Sequence, residues 1–135
     1  MKDLDLENNL SEKDARELNA LSLAFLGDAV YSLMVRGSLV KTAYEKAGSL
    51  NRRATQMVRA SYQAKAFDKL EPLFNETEAN IAGRARNIHT SNVPKTSNLE
   101  EYKKATSLEA VIGFNYITGN TERLNNLFKL LKEEL

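Results

Sequence analysis

Residues 21–36 read LSLAFLGDAVYSLMVR, and Asp28 is the only charged side chain between Glu17 and Arg36. A carboxylate in so apolar a run needs a partner, a proton or a cation, because an isolated buried charge is costly. At helical spacing Ala24, Asp28, Ser32 and Arg36 form a narrow small or polar stripe. Leu23, Phe25, Leu26, Val30, Leu33, Met34 and Val35 cover most of the remaining circumference. Such a helix is buried nearly all round, which one copy of a small chain cannot readily arrange, so a partner subunit is expected over one side. A membrane span is disfavoured: Asp28 near its centre would cost roughly 3 kcal/mol, and Asn19, Ser22, Gly27 and Ser32 weaken the segment further.

The 135 residues suit one domain, and domains of this size own a real core. Residues 1–10 are expected to be a flexible tail. The absence of cysteine excludes disulfides, thiol nucleophiles and cysteine-bound zinc. The opening MKDLDLENNL is acidic and polar, unlike a secretory signal, and a cytoplasmic location is expected.

The net charge of +1 conceals an uneven distribution. Residues 1–17 hold six acids against three bases, whereas residues 36–69 hold eight bases against Glu45 and Asp68. Residues 79–99 contain no acid, yet carry Arg84, Arg86 and Lys95 among Asn, Ser and Thr. This asymmetry fits a polyanion such as nucleic acid, or equally a solvated face balanced in space by the acidic start.

Ser11 followed by Asp14 opens a short helix to about residue 20, and the apolar helix follows over about residues 21–38. Ser49 is expected to cap a helix bearing Leu50, Ala54, Met57 and Val58, basic on its other face. A further helix carries Ala64, Phe67 and Leu70 and ends near Pro72. Asn75 with Glu78 starts another, which runs to about Arg86. The polar stretch NIHTSNVPKTSN, residues 87–98, reads as a mobile loop. Ser97 with Glu100 then caps a long helix to about Thr118, and residues 121–135 form a last amphipathic one. No strand is expected, and the fold class is all-α, a helical bundle of six or seven helices.

The long helix repeats the oddity of the apolar one: Glu109, followed like Asp28 by alanine, is the only charge between Lys104 and Glu122. Tyr102, Thr106, Gly113 and Tyr116 share its stripe and leave room at the carboxylate. Two such carboxylates suit one site for a hard divalent cation, since Mg²⁺ is typically held by one or two carboxylates plus waters and phosphates. That chemistry serves in-line displacement at phosphorus. Each carboxylate could instead be a buried partner of an arginine or a capping group. Glycosidase chemistry also uses two carboxylates, but no Trp is present to line a sugar cleft. The single His89 excludes a zinc cluster of histidines and, with no GxSxG turn, makes an acyl-transfer triad a poor reading.

LAFLGDAV (residues 23–30) resembles the E-F-L-G-D-A-V signature of the ribonuclease III catalytic domain, and SLEAVIG (residues 107–113) its later D-x-x-E-A-x-x-G element. Order, separation and chain length also agree, and no double-stranded-RNA-binding domain is expected. The chain also resembles the short bacterial form, Mini-ribonuclease III, whose features GRARN (residues 83–87), Pro94-Lys95 and Tyr102 with Ala105-Thr106 look like. Ala24 and Thr106 stand where the full-length enzyme has Glu and Asp, replacements that look like a mark of the short form.

The resemblance implies the ribonuclease III endonuclease-domain fold in a homodimer. It implies Mg²⁺-dependent cleavage of double-stranded RNA to 5′-phosphate and 3′-hydroxyl ends, in maturation of the 23S ribosomal RNA precursor. It leaves room for a ribosomal-protein helper. Asp28 and Glu109 match the metal-binding, catalytic acids. With no separate binding domain, Arg84, Arg86, Asn87 and Lys95 are expected to contact RNA, with Arg52 and Arg53 as lesser candidates. The alternative is a non-catalytic RNA-binding module with the same fold.

Overall fold

The structure, a computed structural model, describes residues 6, 9–42, 46–87 and 98–134. Among the described residues there are seven α-helices and no strand: α1 (Glu12–Arg16), α2 (Ala20–Thr42), α3 (Ala47–Met57), α4 (Ala60–Leu70), α5 (Glu76–Asn87), α6 (Leu99–Ile117) and α7 (Thr121–Glu134). A 3₁₀ turn, Glu71–Leu73, carries Pro72 just after α4. Most of the expected tail and nearly all of the expected loop over residues 87–98, with His89 and Lys95, lie outside the described residues.

Several starts follow local chemistry read from the sequence. Ser11 Oγ accepts the Asp14 N–H at 3.1 Å. Asn75 and Glu78 cap α5 reciprocally, Asn75 Oδ1 taking the Glu78 N–H at 2.8 Å and Glu78 Oε1 the Asn75 N–H at 2.9 Å. Two starts differ. α3 begins at Ala47 after Lys46, with no side-chain cap, so Ser49 lies inside the helix. The cap of α6 is Asn98, whose Oδ1 takes the N–H groups of both Glu100 and Glu101.

α6 is the central rod, packed against α2 along one side and α4 and α5 along others, with α7 packed against α4 and α6. The crossing of α2 and α6 sets the architecture. A Cβ built on Gly27 would lie 1.7 Å from the Glu109 carbonyl oxygen, and one on Gly113 would lie 2.0 Å from that of Leu23. The two backbones therefore touch, which only glycine permits at both positions. Ala24 and Ala110 continue the seam, buried in a cluster with Ile81, Ala85 and Phe114.

One polar network crosses the core. Glu78 is fully buried, and its carboxylate accepts from Arg123 Nη2 at 2.7 Å, Arg123 Nε at 3.0 Å and Asn115 Nδ2 at 2.8 Å. Burial alone would raise its pKa, but these hydrogen bonds and the Arg123 charge hold it below the ordinary value. A buried carboxylate so fully satisfied ties α5, α6 and α7 together.

The expectation that α2 is buried nearly all round holds for one side only. Leu23, Val30, Tyr31 and Val35 are buried, whereas Phe25 is 85%, Leu33 67% and Val40 64% exposed. Its length and composition would suffice to cross a membrane, but the buried side belongs to the core with α6.

Candidate active site

The glycine seam places Asp28, one residue after Gly27, beside Glu109, one turn before Gly113. The two carboxyl groups meet in hydrogen-bonding contact. Asp28 is exposed and Glu109 is the more enclosed of the two, so the demand for a partner falls on Glu109 rather than on Asp28. Burial first, then the Asp28 carboxyl beside it, pushes Glu109 up to about 9. At neutral pH Glu109 thus holds its proton.

The wall behind Glu109 comes from the α3–α4 junction. Tyr31 Oη donates to the Met57 carbonyl at 2.7 Å, and Gln63 Nε2 to the Val58 carbonyl at 3.0 Å. Gln63 also hydrogen-bonds the Glu109 carboxylate and lowers its pKa, the effect of a donor. Burial, then the neighbouring Tyr62 and Glu109, raises the Tyr31 hydroxyl, so it remains a neutral donor. Neither Tyr31 nor Gln63 was singled out from sequence. Tyr31 lies three residues beyond Asp28, and that helical spacing was the available signal; for Gln63 there was none.

The two positions where the ribonuclease III signature has further acids are closed. Ala24 is 6% and Thr106 7% exposed, and Thr106 Oγ1 donates back to the Tyr102 carbonyl at 2.9 Å. Among the described residues no three His, Cys, Asp or Glu side chains gather to share a metal. The donor set is thus two carboxylates, which fits a hard cation that keeps several waters and takes further oxygens from phosphate. It does not fit a cation needing a full protein cage.

The residues expected to contact RNA divide. Arg84 Nη1 donates to the Arg16 carbonyl at 2.9 Å and Nη2 to that of Leu18 at 2.6 Å, so much of its guanidinium closes the end of α1. Arg86 pairs with Glu100 and stands 6.0 Å from the Phe67 ring centroid. Asn87 is exposed at the end of α5, and Arg52 and Arg53 are exposed on α3. Lys95 lies outside the described residues.

The ribonuclease III domain model matches residues 21–120. A Mini-ribonuclease 3 of Desulfitobacterium hafniense is 44% identical over 109 residues, covering 81% of this chain and 69% of that protein. One from a Thermoanaerobacter species is 35% identical over 127 residues, 93% of this chain and 89% of the other. A crystal structure of a protein from Fusobacterium nucleatum superposes with a TM-score of 0.79 at 33% identity, over 90% of this chain and 98% of that one.

Proposed function

Because this chain belongs to the ribonuclease III family and is an endoribonuclease of that type, we propose that it cuts double-stranded RNA with Mg²⁺ held by Asp28 and Glu109. The observation that carries the reading is the meeting of these two carboxyls across the Gly27–Gly113 contact. A bound Mg²⁺ would supply Lewis-acid stabilisation of phosphate oxygens and an acidified water. The chain's own part is to release the Glu109 proton, hold both carboxylates toward one point, and keep Glu109 from swinging away. Attack of water at phosphorus with departure of the 3′ oxygen leaves a 5′-phosphate on one fragment and a 3′-hydroxyl on the other.

Cutting both strands requires two such sites, and each chain carries one. The exposed apolar side of α2, with Phe25, Leu33 and Val40, supports a homodimer in which that side meets a second copy. Contact with the duplex falls to Arg86, Asn87, Lys95 and the free part of Arg84, with Arg52 and Arg53 behind them. The substrate we assign is the 23S ribosomal RNA precursor in the cytoplasm, with a ribosomal-protein helper as a further partner.

The test is incubation of the protein with a long RNA duplex, with Mg²⁺ and with chelator, alongside sedimentation. Paired Mg²⁺-dependent cuts bearing 5′-phosphates from a dimer are expected. An intact duplex that is nevertheless bound would overturn the catalytic assignment, and a monomer that cuts would overturn the dimer.

A further inference from the structure

Gln63 is 2% exposed, and its Oε1 has no hydrogen-bond partner. Among the described residues it is the one buried side-chain oxygen or nitrogen left in this state. The amide cannot be turned to cure it. Its nitrogen donates to the Val58 carbonyl at 3.0 Å and lies beside the Glu109 carboxyl, so exchanging nitrogen and oxygen would set oxygen against the Val58 carbonyl oxygen. An orphaned buried acceptor is costly to the fold. An apolar side chain of the same length would fill the space without that cost, although it would leave Val58 and Glu109 less well held. The orphan atom belongs to an amide beside the proposed cation ligand, and a hydrated cation brings water hydrogens that need acceptors.

We propose that Gln63 is a positioning residue of the carboxylate pair: its Nε2 ties Glu109 to the α3–α4 junction, and its Oε1 accepts a hydrogen bond from the hydration water of a divalent cation. The inference rests on the two-carboxylate reading of Asp28 and Glu109. It explains why a glutamine, with two donor hydrogens and an acceptor, occupies a place where a donor alone would satisfy the protein. Partners of this kind that orient a metal ligand typically account for about 10–100-fold in metal affinity or activity.

The experiment compares the full chain with Gln63→Met, which keeps length and loses the hydrogen bonds of the side-chain amide. Mn²⁺ and Mg²⁺ binding are measured by calorimetry without RNA, and cleavage as a function of Mg²⁺. Cation binding about 10-fold weaker or more is expected, with cleavage recovered by excess Mg²⁺ and with duplex binding in chelator unchanged. Wild-type cation affinity in a folded Gln63→Met would overturn the inference while leaving the carboxylate site standing. A parent protein that binds no cation would overturn both. Where Gln63→Met fails to fold, the side-chain amide signals of Gln63 in the ¹⁵N-labelled parent decide. They should shift as Mg²⁺ saturates the site, and signals that stay in place would overturn the assignment.

Discussion

Gly27→Ala sets a methyl carbon 1.7 Å from the Glu109 carbonyl oxygen, where real Cβ atoms keep beyond 3.0 Å. The obstacle is backbone on both sides, so no side chain can turn away to make room, and α2 and α6 must part by more than about 1 Å. Overpacking of this kind costs about 1–3 kcal/mol or more. It falls on the contact that brings Asp28 to Glu109, and a displacement near 1 Å typically lowers turnover about 100-fold. Gly83→Ala is the contrasting change: nothing lies within 4 Å of its added Cβ, and replacing an interior helix glycine should stabilise by about 0.5–1 kcal/mol. Urea unfolding of both variants, with duplex cleavage at saturating Mg²⁺ for Gly27→Ala, tests the pair. Gly27→Ala with parental stability and rate would refute the crossing as the device that assembles the site.

Three further outcomes follow from the same geometry. Glu109 is pushed up to about 9 from its ordinary 4.5, so the folded chain holds a proton the unfolded chain releases. Its contribution to stability is therefore full below about pH 4.5 and lost as pH rises toward 9. A cation must displace that proton, so calorimetry in buffers of different ionisation enthalpy should show proton release at pH 7 and affinity rising with pH; pH-independent affinity would contradict this. Arg123→Met leaves Glu78 buried without its charge partner and should cost about 3–5 kcal/mol at pH 7. Because Glu78 is held below its ordinary pKa, the stability it contributes is present above that value and fades as pH falls through the lowered one, so urea midpoints of parent and variant should converge in acid. Arg84→Ala should lower the melting temperature by unpinning α1, whereas Arg86→Ala should weaken duplex binding and flatten its salt dependence with little effect on melting.

Periodicity made the long helices legible, because α2 and α6 bury apolar residues at helical spacing whatever their neighbours do. The Asn75–Glu78 cap was legible because both partners sit within one turn. The start of α3 was not: Lys46 offers no oxygen to an N–H, so Ser49 drew the reading inward. Asp28 and Glu109 stood out as lone charges, but which one is enclosed depends on how α2 lies over α6, and that is set by Gly27 and Gly113 meeting across the chain. Arg84 read as a free cation because its acceptors, the Arg16 and Leu18 carbonyls, lie 68 and 66 residues away. Gln63 was silent for the same reason, its chemistry residing in where α4 meets Glu109.

The most direct test of the site is Glu109→Gln, nearly equal in shape, measured for folding, Mn²⁺ binding and cleavage of one RNA duplex. A folded protein that has lost both cation binding and cleavage is predicted, more stable than the parent in chelator near pH 8 because no carboxyl proton need be kept beside Asp28. Sustained cleavage by that folded variant would contradict the assignment of Asp28 and Glu109 as the working pair.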